Sequence, residues 1–137
     1  EDPAWQGLRE LMEKVLVTYD WGENFVAHNL VAKVAADETL RELSTAARHF
    51  GDPLLALLAD NQLRDCDRSR RWSTALVEFC GAVDGNNAVM AGWIDKWMPL
   101  ARKAVTDYCD ALPESDGVAD AAIARVEAFH RGLGLVG

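Results

Sequence analysis

The strongest constraint on this chain is the lack of helix breakers between Asp52-Pro53 and the "GAVDGNN" stretch that begins at Gly81. Aspartate before proline is a helix start: a side-chain acceptor at the Ncap, then a residue whose missing N–H costs nothing in the first turn. From there apolar residues recur every three or four positions as far as Cys80, which predicts a single helix of roughly thirty residues, longer than most in globular proteins. Helices of that length exceed what small regulatory domains need, and they suit an antiparallel bundle of the ferritin-like kind.

The remaining sequence reads the same way. Pro3 opens a first helix over Trp5, Leu8, Leu11, Met12 and Val15, with Glu1 and Asp2 at its positive end. A break at Asp20 to Gly22 starts a second, whose broad inner side takes in Phe25, Val26, Asn29, Leu30, Lys33, Val34, Asp37, Leu40, Leu43 and Ala47 before it stops near His49 to Gly51. Asn86 or Asn87 is positioned to cap a fourth helix through Tyr108, and Pro99 inside it predicts a kink or a restart. After the loop "LPESDG" a last helix covers Val118 to about Arg131 and ends at Gly132 or Gly134. The best β-type run, "VLVTY", is short. The expectation is one all-α domain over residues 1–137.

Charge and cysteine usage narrow the function. A net charge of −8 is the wrong sign for a nucleic-acid partner, and Arg68, Arg70 and Arg71 stand beside Asp65 and Asp67. The three cysteines, Cys66, Cys80 and Cys109, have no CxxC spacing and form neither a disulfide framework nor a zinc ribbon. No apolar run is long enough to span a membrane, and the start of the sequence has no signal-peptide pattern. A cytoplasmic protein with reduced thiols is expected.

Chemistry-bearing patterns are few. Glu127 and His130 form a Glu-x-x-His pair, the spacing that puts two ligands on one helix face in di-iron bundles. No second such pair accompanies it, so a site of its own would require two chains to pair. Cys66 has arginines nearby but no histidine within helical reach. Trp93 and Trp97, four apart and flanked by Asp95, Lys96 and Arg102, form an aromatic stripe suited to a core or a partner surface.

Three stretches carry a family resemblance. "LVTYDWGENFVAHNLV" (residues 16–31), "DRSRRWSTALVEF" (67–79) and "WIDKWMPLA" (93–101) resemble the beta subunit of the hydroxylase in bacterial multicomponent di-iron monooxygenases, the group acting on toluene, phenol, alkenes, propane and methane. The resemblance implies a non-catalytic subunit with a ferritin-like, ribonucleotide-reductase-like fold that binds no cofactor itself. Its partners would be a catalytic alpha subunit holding two irons, a small gamma subunit, an effector protein and a reductase. Aromatic or alkene substrates fit the motif wording better than methane. Tyr19, Trp21, Glu23, Trp93, Lys96 and Trp97 are the candidate partner contacts. The family's beta subunits are considerably longer, so either this sequence is a carboxy-terminal portion or other chains supply the rest; a portion would expose apolar faces and is expected to self-associate.

Catalytic subunits of that family hold their second ligand pair in a helix reading Asp-Glu-x-Arg-His. In "DCDRS", Asp65 and Arg68 keep the frame, while Cys66 stands at the glutamate position and Ser69 at the histidine position. Both then count as vacated ligand positions, because small side chains cannot replace a carboxylate and an imidazole. Helical phase gives an inner stripe of Leu55, Ala59, Gln62, Cys66, Ser69, Ser73, Leu76, Val77 and Cys80, with Arg64, Asp67, Arg68 and Arg71 turned away. The charges of "DCDRSRRW" are expected on the outer face, with Asp65 at the stripe's edge. The competing expectations are a metal site shared between chains through Glu127 and His130, and a helical ligand-binding regulatory module.

Overall fold

The computed structural model describes residues 2–136. Glu1, expected at the positive end of the first helix, lies outside them. A 3-10 turn, Pro3–Trp5, leads into α1 (Gln6–Leu16); Asp2 caps the turn by accepting from the Ala4 amide at 3.0 Å. Asp20 caps α2 (Trp21–Phe25) through the Glu23 amide, and the chain continues through a π-helical segment (Val26–Ala32) into α3 (Lys33–His49). Beyond it lie α4 (Pro53–Gly81), α5 (Asn86–Cys109) and α6 (Val118–Gly132). There is no strand among the described residues, and none of the helices is long and apolar enough to cross a membrane. "VLVTY" is divided between the end of α1 and the turn after it.

Two helix boundaries differ from the sequence reading. Neither Asn86 nor Asn87 caps α5; the Ncap is Gly85, whose φ of +88° is left-handed and inexpensive only for glycine. Asn86 instead turns back, its side-chain amide donating to the Cys80 carbonyl at 2.9 Å to close the end of α4. Pro99 neither ends nor restarts α5, which is one helix from Asn86 to Cys109. Packing explains that tolerance. Ile94, Trp97, Met98, Ala101, Ala104 and Val105 are all buried, and their burial outweighs one missing N–H.

The core lies where α1, the π segment, α3 and α6 surround α5. Gly7 lets α1 come close to α5: a Cβ there would stand 2.8 Å from the Ala104 Cα and 2.6 Å from an Asp107 carboxylate oxygen. The π segment widens the helix and shifts the phase of its side chains, and Val26, Ala27, Leu30, Val31 and Ala32 are all buried there. The long α4 packs chiefly on α3, which leaves its opposite side uncovered.

Candidate functional site

Buried charge is concentrated where α3 faces α4 and α6. Asp37 and Glu38 are 4 % and 2 % exposed, and a carboxylate so placed must be paired or neutralised. Both are paired. Lys33 Nζ lies 2.9 Å from Asp37 on the same face of α3, and Arg70 of α4 donates to Asp37 at 3.1 Å and to Glu38 at 2.8 Å. Arg125 of α6 reaches the second Glu38 oxygen at 2.7 Å and also pairs with Glu42, while Arg41 lies 3.1 Å from Glu38. The Arg70 guanidinium further sits 5.6 Å from the centre of the Phe129 ring. Burial alone would push the Glu38 carboxyl up, but hydrogen bonds from Arg125 and Arg70 and the charges of Arg70 and Arg41 outweigh it and hold the group below its ordinary value.

Arg70 is the clearest departure from the sequence reading. The charges of "DCDRSRRW" do not all face outward: Arg64, Asp65, Asp67, Arg68 and Arg71 are exposed, but Arg70 turns inward as the cation shared by two buried carboxylates. The inner stripe is rotated accordingly. Ala56, Ala59, Ser73 and Val77 are buried and Cys66, Ser69, Leu76 and Cys80 half-buried, whereas Leu55 and Gln62 lie outside.

Cys66 and Ser69 line an open cleft of about 420 Å3 with Lys33, Asp65, Arg68 and Trp72. The Cys66 thiol is pushed up, first by burial and then by its hydrogen bond with Asp37, against the opposing effect of Lys33. A protonated thiol beside a lysine–aspartate pair is a poor nucleophile.

These residues do not fit a di-iron centre. Among the described residues Asp65 is the one carboxylate lining the cleft, and the α3 carboxylates already accept from Lys33, Arg70, Arg41 and Arg125, four cations against Asp37, Glu38 and Glu42. Adding a divalent cation would require displacing guanidinium groups from a buried site. The Glu127–His130 pair is divided between other tasks. Glu127 pairs with Arg102, whereas His130 is 1 % exposed with Nε2 2.7 Å from the Leu30 carbonyl. A carbonyl only accepts, so Nε2 carries the proton. That bond fastens α6 to the π segment, and burial pushes the imidazole pKa down.

The contact residues read from the sequence meet at the α2–α5 corner. Glu23 Oε1 accepts from Lys96 Nζ at 2.6 Å and from the Trp97 indole at 2.9 Å. The Lys96 hydrogen bond is the main reason the Glu23 carboxyl is held low, against burial and helped by Trp97. Trp97 is buried; Tyr19 and Trp21 are exposed, and Trp93 is half-buried. Trp21, Phe25, Val89, Met90 and Trp93 form an apolar cleft of about 160 Å3 there. Tyr19, Trp21 and Lys96 are thus exposed at this corner and Trp93 half-exposed, with Glu23 and Trp97 behind them as support.

Sequence reasoning missed the roles of Glu38, Arg70 and Arg125. One signal was present: Lys33 and Asp37, a cation and an anion four apart, fall inside a row that is apolar but for them and Asn29, which marks a buried pair awaiting partners from another helix.

Comparison with known proteins places this geometry. The family profile for methane/phenol/alkene hydroxylase matches residues 1–84. The chain is 49 % identical over 113 residues to the hydroxylase component subunit beta of the toluene-4-monooxygenase system of Ectopseudomonas mendocina, covering 82 % of this chain and 35 % of that protein. It is 28 % identical to the phenol 2-monooxygenase oxygenase component DmpL of Pseudomonas sp. (strain CF600), covering 87 % and 36 %. The propane 2-monooxygenase hydroxylase component small subunit of Gordonia sp. (strain TY-5) is 26 % identical, covering 72 % and 28 %. A solved structure of toluene 4-monooxygenase with toluene bound in its resting active site superposes with a TM-score of 0.76 at 49 % identity, over 79 % of this chain and 36 % of that one. The chain thus spans about a third of the length of these relatives.

Proposed function

We propose that this chain, which belongs to the methane/phenol/alkene hydroxylase family, acts as a structural, beta-type part of a multicomponent monooxygenase hydroxylase. In that role it braces a catalytic alpha subunit that carries the two irons and uses O2 to hydroxylate or epoxidise aromatic or small hydrocarbon substrates. A gamma subunit, an effector protein and a reductase complete the proposed set of partners, and the setting is cytoplasmic. The beta-subunit and phenol-hydroxylase relatives support the reading.

One observation carries it. In the stretch that resembles the family's Asp-Glu-x-Arg-His frame, Cys66 and Ser69 stand in place of the Glu and His, and the buried Asp37 and Glu38 are neutralised by Lys33 and Arg70. Such a helix pair is a rigid brace: its charges are compensated from within, and it has no remaining task that a bound metal would perform.

Co-expression with a catalytic alpha subunit of the family tests the reading. The expected result is a stable complex whose oxygenase activity requires this chain, with the iron retained by the alpha subunit when the chains are separated. Stoichiometric iron on this chain purified alone would overturn it, as would full activity of the alpha subunit without it.

A further inference from the structure

Helix α4 carries two stripes, and the outer one is largely exposed, although its Trp72 ring meets Phe25 edge-on at 5.8 Å and Asp65, Arg68 and Trp72 border the cleft beside Lys33. The first packs on α3. The second runs along the opposite side, where Leu54, Leu58, Trp72 and Phe79 are 66 %, 54 %, 56 % and 78 % exposed. Asn61, Asp65, Arg68 and Ala75, all exposed, complete it. From Leu54 to Phe79 these eight residues take the alternating four-and-three spacing of a and d positions in a coiled-coil seam; large apolar side chains fill four of them, at the two ends, and Asn61, Asp65, Arg68 and Ala75 fill the rest.

We propose that this seam pairs antiparallel with α4 of a second copy of the chain, about a two-fold axis that passes between Cys66 and Asp67. Antiparallel pairing sets each a position opposite a d position. In this register Asp65 faces Arg68 of the second copy, and symmetry repeats that pair on the other side of the axis. Phe79 meets Leu54 of the second copy, Leu58 meets Ala75, and the Trp72 indole meets the Asn61 amide, which can accept its N–H. Each layer thus joins opposite charges, a large side chain to a smaller one, or a donor to an acceptor. Self-complementarity of this kind is what an isologous interface demands. Parallel pairing would instead set Asp65 against Asp65 and Arg68 against Arg68. The charge order along the seam therefore selects the antiparallel arrangement. The strip itself, with one Asp and one Arg, is neutral, so it adds no charge repulsion of its own to that between two chains of net charge −8.

The proposal stands on α4 alone and is independent of the bracing role. Sedimentation or light scattering over a range of concentrations tests it with four variants: Asp65→Arg, Arg68→Asp, the double variant carrying both changes, and Phe79→Glu. All altered side chains are exposed, and circular dichroism verifies that the helices remain. Wild type is expected to dimerise, and each single charge reversal to weaken the dimer about tenfold by creating two like-charge contacts. The double variant should recover to within about threefold, and Phe79→Glu should leave monomer. The inference is overturned by a wild type that stays monomeric at the highest concentration, by a dimer indifferent to the single reversals, or by a double variant no tighter than the weaker single one. An alpha subunit or further chain that takes this face in place of the second copy would give the first of those results.

Discussion

Arg70 of α4 donates to Glu38 of α3 at 2.8 Å, in a place where the carboxylate is almost completely out of water. The same guanidinium holds Asp37 and lies against the Phe129 ring, so one side chain ties α4 to both α3 and α6. The bundle is joined at this point by ion pairing as well as by apolar contact.

Replacing Arg70 with alanine should therefore destabilise the chain by about 3 kcal/mol, the lower end of the range for removing one member of a buried ion pair, because Arg125 and Arg41 still reach Glu38. Arg70→Lys should lose about half as much, since a lysine keeps the charge but cannot serve two carboxylates from one planar fork. Urea unfolding of the variants measures both. A loss below about 0.5 kcal/mol for the alanine variant would mean that the pairing contributes as little as a surface bridge.

Acid should weaken the fold in two separable steps. The buried His130 imidazole has its pKa pushed below the ordinary 6.5. Above that value both folded and unfolded rings are neutral. Below it the unfolded ring takes a proton that the folded one resists, so stability falls as pH drops through the depressed folded value. Glu38 is lowered from 4.5, and its contribution is lost only below that. Unfolding midpoints between pH 7 and pH 5 should decline for wild type and flatten for His130→Gln, whose amide still donates to the Leu30 carbonyl. An equal decline in both would remove His130 as the cause.

Gly7→Ala should cost about 1–3 kcal/mol, because the new methyl meets Ala104 backbone on α5 and the two helices must separate. Thermal unfolding reads this directly. Since Gly7 lies within α1, a helix-propensity gain would raise the melting temperature instead, and the sign of the shift decides between the two effects.

The aromatic residues at the α2–α5 corner should separate into two groups. Trp21→Ala and Tyr19→Ala remove exposed rings and should leave unfolding within about 0.5 kcal/mol of wild type while weakening the complex with the alpha subunit. Trp97→Ala empties a buried site and strips Glu23 of its indole donor, for a loss of about 3–5 kcal/mol. Pull-down titrations alongside unfolding curves test the division. Undiminished binding by both exposed-ring variants would place the partner surface elsewhere.

Much of the architecture was legible in the chain itself. Asp52-Pro53 starts α4 and the break at Asp20 to Gly22 starts α2 as read, because such start signals need only residues adjacent in sequence. The long helices arise from apolar periodicity for the same reason. Of the two outcomes read for Pro99, the restart does not occur, because the proline's cost is local whereas the burial that compensates it comes from other helices. Asn86 misled the reading because a side chain able to cap its own helix found the carbonyl of Cys80 instead.

Local pattern was enough to establish a bundle of long helices, and the resemblance to the family's Asp-Glu-x-Arg-His frame is what proposes Cys66 and Ser69 as vacated ligand positions. The neighbours of those two residues came only with the folded arrangement. Lys33 and Asp37 find each other within one helix turn, but Arg70 reaches Glu38 across 32 residues and Arg125 across 87. No periodicity encodes such pairs. They form because folding brings buried carboxylates and guanidinium groups into a low-dielectric space where each must find an opposite charge.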